Sequence, residues 1–141
     1  MQLSPYLSFD GRCEAAFKFY EKCLGGNVEF MMPYKGSPME GEIPADWHSK
    51  VMHAEIKLGD RVLMGVDSPP EQYEKPQGTS IMLAINDVEE AERTFAALSE
   101  NGTVKMPIQE TFWAARFGML VDQFGVPWMI NCDKPAEENQ S

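Results

Sequence analysis

Cysteine and long apolar runs are both scarce in this sequence. The 3 cysteines are odd in number and form no Cys-x-x-Cys pair, which is typical of a reduced intracellular protein rather than a disulfide-stabilised secreted one. No apolar run approaches the length that spans a bilayer, and the N-terminus lacks the basic and apolar regions of a signal peptide. We therefore expect a cytoplasmic protein without a membrane segment.

Basic side chains are also few. The chain has 12 Lys and Arg against 22 Asp and Glu, and its formal net charge is −10. Nucleic acids and anionic membranes are bound through clusters of Lys and Arg, and the sequence contains no such cluster. Part of the acidity lies in residues 134–141, whose polar composition predicts a disordered acidic tail. We expect neither nucleic acid nor membrane as a partner.

Motifs for nucleophilic catalysis and for cofactors are missing as well. The sequence has no nucleophile elbow, no Walker-type phosphate loop and no dinucleotide-binding glycine fingerprint. Cys13 and Cys23 fall on the apolar stripe of a predicted helix, which makes them small core residues. Cys132 follows the last predicted strand, where we expect it to be exposed, and it has no histidine beside it in the sequence. We expect no cofactor.

What the sequence does contain is a repeat of one strand, one helix and three strands. Apolar residues recur at the spacing of an amphipathic helix in residues 13–24 and again in residues 88–98. Equivalent positions lie 76 residues apart near the start, as in Phe9 and Ile85, and 65 apart near the end, as in Met64 and Met129. The difference fits an insertion at residues 35–50. The predicted strands are 3–9, 28–33, 51–57, 61–66, 80–85, 103–109, 115–121 and 126–131.

The predicted fold class is therefore α+β, with two βαβββ modules in tandem. A single domain, residues 1–133, contains module one at 1–67, a linker at 68–78 and module two at 79–133. Each helix covers one sheet face, so the other face must be covered by the partner module or enclose a space. Two such faces predict a curved-sheet cup. Strand alternation assigns to this cup Ser4, Tyr6, Met64, Ser80, Met82 and Met129, while Leu3 is assigned to the helix-facing side.

The most informative stretch is 111–131, which predicts a β-hairpin. Two apolar runs flank a turn in which Gly125 is expected to have positive φ, and Pro127 predicts that the last strand begins at a rim. Just before the hairpin, Phe112 and Trp113 place two large rings in a loop. They either line a ligand pocket or form dimer contacts, because aromatic side chains serve both purposes.

Two groups of polar residues are candidates for chemistry. His53 and Glu55 lie two apart on a predicted strand, so their side chains share one face and can bind a metal or relay a proton, with His48 as a third candidate ligand. The alternative is a solvated strand face. Glu110 is a candidate general base beside the aromatic loop, or else forms a salt bridge, for which we expect Arg116 as the partner.

The tandem arrangement, with the segments SPYLSFDG at 4–11 and QETFWAARFGMLVDQFGVPWMIN at 109–131, resembles the vicinal-oxygen-chelate superfamily of glyoxalases, bleomycin-resistance proteins and extradiol dioxygenases. More narrowly it resembles the PhnB-like branch, often labelled with a 3-demethylubiquinone-9 3-methyltransferase domain name. The resemblance covers the chain to about residue 133. Metal enzymes of this superfamily place His, Gln or Glu ligands at four corners, which the resemblance assigns here to Ser4, Met64, Ser80 and Met129. Hydroxyl and thioether groups bind Zn, Ni, Mn or Fe(II) poorly.

The expected function is metal-independent binding of a small apolar or aromatic molecule by a homodimer. The expected ligand-binding residues are Tyr6, Met64, Ser80, Met82, Phe112, Trp113 and Met129. Two alternatives stay open. One is a metal-dependent lyase, isomerase or dioxygenase with a displaced metal site at His48, His53 and Glu55; the other is a dimerisation module without a ligand. Whether the protein is an enzyme is left open, with Glu110, His53 and Glu55 as the catalytic candidates.

Overall fold

A computed structural model describes residues 1–135 of the chain. It divides into two compact units, Met1–Lys75 and Pro76–Ser141, and the boundary falls inside the predicted linker. Each unit contains one α-helix and one four-stranded sheet, which confirms the α+β prediction and the two βαβββ modules. Of the predicted tail, residues 136–141 lie outside the described part of the chain. Within the described residues, no helix is long and apolar enough to cross a membrane.

The first unit contains β1 (Tyr6–Phe9), α1 (Cys13–Leu24), β2 (Asn27–Pro33), β3 (Val51–Leu58) and β4 (Arg61–Asp67). The strand order is β1-β4-β3-β2, with β1 parallel to β4 and the other pairs antiparallel. Helix α1 ends where the sequence predicts, at Gly25, whose φ of 75° is readily adopted only by glycine. Four residues of the apolar stripe of α1 are buried and form the core on one side of this sheet: Cys13, Ala16, Phe17 and Tyr20. Cys23, expected in the core, is only half-buried.

The second unit repeats this arrangement with β5 (Ile81–Ala84), α2 (Val88–Ser99), β6 (Thr103–Gln109), β7 (Ala114–Val121) and β8 (Pro127–Asp133). Its strand order is β5-β8-β7-β6, with β5 parallel to β8. The predicted hairpin is confirmed as β7 and β8, with Gly125 at a φ of 89° and Pro127 as the first residue of β8. The turn is held by buried Asp122, which accepts hydrogen bonds from the N–H groups of Phe124 and Val126 at 2.8 and 3.0 Å.

One glycine in each sheet shows which sheet face lies under the helix. A Cβ atom at Gly65 would lie 2.6 Å from the Phe17 ring of α1, and one at Gly118 would lie 2.6 Å from the Phe95 ring of α2. Because side chains alternate along a strand, the neighbours Met64 and Met119 point to the opposite face of their sheets. These opposite faces, which the helices leave uncovered, are called the open faces.

Helices α1 and α2 begin in different ways. Asp87 caps α2 by accepting a hydrogen bond from the N–H of Glu90 at 2.9 Å. Arg12, at the start of α1, makes no such side-chain bond. Instead Asp67, at the end of β4, accepts from the N–H groups of Gly11 and Cys13 at 3.0 and 2.9 Å. The carboxylate of a distant strand therefore stabilises the N-terminus of α1.

Asp67 also reaches the start of β3. Its second oxygen accepts a hydrogen bond from the N–H of Val51 at 2.9 Å, and its main-chain carbonyl accepts one from the Tyr34 hydroxyl at 2.7 Å. The residue is only 1% exposed. Asp67 thus joins α1, β4 and the end of the inserted segment 35–50, which itself contains two short 3₁₀ helices, Glu40–Glu42 and Ala45–Trp47.

Several sequence expectations are wrong in detail. The first strand begins at Tyr6 rather than residue 3, and Leu3, expected to face the helix, is 87% exposed. Cys132, expected to be exposed, is 1% exposed, because β8 continues past residue 131 and alternation places Cys132 on the buried side with Ile130. Burial raises the pKa of its thiol, and the carboxylates of Asp87 and Asp133 raise it further.

Candidate functional site

The open face of the first unit carries a row of large side chains. The strand register places Tyr6 of β1 beside Met64 of β4, Met64 beside Glu55 of β3, and Glu55 beside Phe30 of β2. Two of the apolar rings in this row are substantially solvent-accessible, because Tyr6 is 54% and Phe30 42% exposed. The surface formed by Tyr6, Phe30, His53, Glu55 and Met64 is called the unit-1 face.

A chain of hydrogen bonds crosses the unit-1 face. The Tyr6 hydroxyl lies 3.1 Å from Nδ1 of His53, and Nε2 of His53 lies 2.8 Å from a carboxylate oxygen of Glu55. The His53 ring also lies between two aromatic rings, with centroid distances of 5.7 Å to Tyr6 and 5.8 Å to Phe30. His53 and Glu55 therefore share a face, as their spacing indicates, and Tyr6 joins them.

The electrostatics of this chain favour a neutral tyrosine. Partial burial raises the pKa of Tyr6, and the nearby thiol of Cys13 and carboxylate of Glu55 raise it further. A phenolate at this position would lose hydration and face negative charge. Tyr6 therefore acts in its protonated form, as a group that can donate one hydrogen bond and accept others.

His48 does not join His53 and Glu55. Its Nε2 lies 3.1 Å from the carbonyl oxygen of Glu40 and 2.9 Å from that of Ile43, so this histidine is held by the inserted segment. Over residues 1–135, no group of three or more His, Cys, Asp or Glu side chains is placed to hold a metal ion. The alternative metal site of His48, His53 and Glu55 is thus not assembled in this structure.

The open face of the second unit carries a row of methionines. Met82 of β5 pairs with Met129 of β8, Met129 with Met119 of β7, and Met119 with Met106 of β6. Met82 is 56% exposed. These four residues are called the methionine row. Sequence reasoning found Met82 and Met129 but missed the other two. The register of β6 is irregular on both sides of Met106, so strand alternation cannot be followed through it, and Met119 was not assigned to a face.

Ser4 and Ser80, which the resemblance assigned to two corners, precede the strands. Strand β1 begins at Tyr6 and β5 at Ile81. The register places Tyr6 beside Met64 and Met82 beside Met129. A phenol and three thioethers therefore occupy the paired positions on β1 and β4 and on β5 and β8.

The aromatic loop before β7 is exposed. Phe112 is 89% and Trp113 49% exposed, and their rings contact each other edge-on with centroids 4.9 Å apart. Trp113 also contacts Phe117, at 5.4 Å. The loop is closed by Thr111, whose hydroxyl accepts a hydrogen bond from the N–H of Ala114 at 3.0 Å. Two rings in mutual contact thus lie on the surface.

The predicted salt bridge between Glu110 and Arg116 is wrong. Glu110 pairs with Lys134 at 3.7 Å, and Arg116 pairs with Glu92 of α2 at 3.2 Å. Because Arg116 lies against α2, its guanidinium reaches a carboxylate of that helix instead. The Glu110 side chain is 67% exposed, which is not the apolar setting that favours a catalytic base.

Comparison with known proteins decides the family. Residues 2–130 match the family model of the Glyoxalase/Bleomycin resistance protein/Dioxygenase superfamily. The chain belongs to this superfamily. It is also 35% identical over 142 residues to Protein YjdN of Escherichia coli (strain K12), covering 95% of this chain and 97% of that protein.

Solved structures agree with this assignment. Protein PA1353 from Pseudomonas aeruginosa is 48% identical, with a TM-score of 0.87 over 96% of this chain and 99% of that one. The PhnB protein from Bacillus cereus is 23% identical, with a TM-score of 0.78 over 94% of this chain and 99% of that one, a likeness of fold. The predicted superfamily is therefore confirmed, and the PhnB protein shares its fold.

Proposed function

We propose that this superfamily member binds a small apolar or aromatic molecule on its open sheet faces, without a metal, as a homodimer in the cytoplasm. The observation that carries the proposal is the methionine row. A sheet face in contact with water usually carries polar side chains, yet here four neighbouring strands each present a thioether. Unbranched Met side chains adapt to irregular apolar surfaces.

The unit-1 face and the aromatic loop support the same kind of ligand. The unit-1 face offers the rings of Tyr6 and Phe30 beside Met64, and the aromatic loop offers Phe112 and Trp113. Exposed apolar surface of this kind marks binding sites. Ser80, just before β5, remains a predicted contact.

The experiment is a fluorescence titration with N-phenyl-1-naphthylamine, a neutral aromatic dye. Replacing Met119 and Met129 together by Gln puts two amides into the methionine row, and we expect affinity to fall at least about tenfold, because each amide must be desolvated by an apolar ligand. Met39→Gln is the matched control, since Met39 is 42% exposed but lies in the inserted segment. Absence of dye binding, or equal affinity of the double variant and the control, would contradict the proposal.

Dimerisation is the second part of the proposal, and the exposed aromatic loop favours it. Proteins of this fold commonly dimerise, and exposed rings are frequent anchors at interfaces. We expect light scattering to give the mass of a dimer, and Phe112→Ser with Trp113→Ser to shift it toward the monomer. If the double variant stays dimeric but loses dye binding, the loop contacts the ligand and not the second subunit.

A further inference from the structure

The hydrogen-bond chain on the unit-1 face has a direction, and the direction follows from Glu55. An ionised carboxylate only accepts hydrogen bonds, so the ring nitrogen 2.8 Å away, Nε2 of His53, must carry a proton. A neutral imidazole then has a bare lone pair on Nδ1. The Tyr6 hydroxyl, 3.1 Å from Nδ1, donates its single proton to that lone pair. Both hydrogen bonds, from Tyr6 to His53 and from His53 to Glu55, therefore donate in the direction of Glu55.

The consequence appears at the outer end of the chain. Because Tyr6 has given its only proton to His53, its oxygen offers lone pairs alone to anything that approaches from solvent. The second oxygen of Glu55 is also an acceptor. Lys57, the next side chain along this face of β3, belongs to the neighbouring row beside Asn27 and Val62, so it is offset from Tyr6.

We propose that the unit-1 face selects an aromatic molecule that carries a hydrogen-bond donor, an N–H or O–H group, and discriminates against the isostere in which an acceptor replaces that donor. The Tyr6 and Phe30 rings and Met64 contact the ring system, and the Tyr6 oxygen accepts the donor's hydrogen bond. The inference rests on the proposed ligand binding and adds the chemistry that the ligand must have.

The size of the discrimination follows from two effects. A ligand donor gains one neutral hydrogen bond, whereas an acceptor places its lone pairs against those of Tyr6 and leaves the tyrosine oxygen unpaired. The hydroxyl belongs to a side chain that is 54% exposed, so water competes for it. We expect a preference of roughly three- to tenfold for the donor.

Indole and benzofuran are the matched probes, since they share a shape and differ in N–H against ring oxygen. Amide chemical shifts in NMR titrations give both the affinity and the location of each compound. We expect shifts in β1 and β3 with both compounds, and tighter binding of indole. Tyr6→Phe removes the acceptor, so indole should weaken to the affinity of benzofuran while benzofuran stays within about twofold. Equal affinities in the unchanged protein, or a preference that survives in Tyr6→Phe, would overturn the inference.

A second measurement tests the direction of the chain without a ligand. Long-range proton–nitrogen NMR of the free protein above neutral pH should find the His53 proton on Nε2, and Glu55→Gln should reduce that preference because an amide can donate as well as accept. A proton on Nδ1 overturns the inference whatever the ligands do. A further outcome is that the His53 proton is found on Nε2 while neither probe changes the chemical shifts of the β1 and β3 amides. That result would show that this face does not bind the ligand, and the proposed selection of a donor would then be wrong as well.

Discussion

Replacing Asp67 by Asn tests how the first unit is held together. The two side chains have the same shape, but Asn keeps one acceptor oxygen and replaces the other with an NH₂ donor. In the structure one oxygen of Asp67 accepts from Gly11 and Cys13 at 3.0 and 2.9 Å, and the other accepts from Val51 at 2.9 Å. The oxygen of the substituted amide can satisfy Gly11 and Cys13, but its NH₂ group then faces the N–H of Val51.

The expected cost can be worked from these bonds. One buried N–H loses its partner, which costs about 1–3 kcal/mol, and two charge-assisted hydrogen bonds become neutral, at about 1 kcal/mol each. Relief of the desolvation of a carboxylate that is 1% exposed offsets part of this. We expect a loss of about 3 kcal/mol in the free energy of unfolding, a large share of the roughly 5–15 kcal/mol of a typical domain.

Urea denaturation followed by circular dichroism measures the free energy, and hydrogen exchange of the Val51 amide locates the effect. Asp60→Asn is the surface control, because its side chain is 96% exposed, and it should stay within about 0.5 kcal/mol of the unchanged protein. Asp122→Asn is the buried counterpart in the second unit and should leave the Val51 amide unaffected. A loss below about 1 kcal/mol for Asp67→Asn, with unchanged exchange at Val51, would refute the reasoning.

Two further predictions concern the packing and titration of the first unit. Gly65→Ala should cost about 1–3 kcal/mol in thermal unfolding, because the new Cβ would lie 2.6 Å from the buried Phe17 ring; Gly41→Ala, with no atom within 4 Å, should be near neutral, and equal melting temperatures would contradict this. Burial raises the pKa of the Cys13 thiol above its ordinary value of 9.0, so the folded state keeps this proton while the unfolded chain loses it. Stability should be constant with respect to this group below about pH 9 and fall above it by up to about 1.4 kcal/mol per pH unit. Cys13→Ala should flatten that decline in urea titrations from about pH 8 to 10.5, and an unchanged slope would show that the thiol is not responsible.

The repeat and the helices could be predicted from the sequence because their signals are local. Apolar spacing marks the buried stripes, and the stops at Gly25 and Asn101 have the positive φ values of 75° and 59° that end a helix. The candidate site was harder to predict from the sequence. Tyr6 and His53 are 47 residues apart, and their contact depends on the register between β1, β4 and β3. A local sequence pattern does not predict that register. Met106 was hidden by the irregular register of β6.

The different starts of the two helices have a consequence for how each copy of the repeat forms. Helix α2 can be nucleated by its own neighbour Asp87, whereas the N-terminus of α1 is completed by a residue 54 positions downstream of Cys13. That contact requires closure of a long loop, whose entropic cost must be met before the bond is gained. We therefore expect the two copies to share an architecture but not an order of assembly: the second can begin from its helix, whereas the start of the first helix is completed only once β4 is in place.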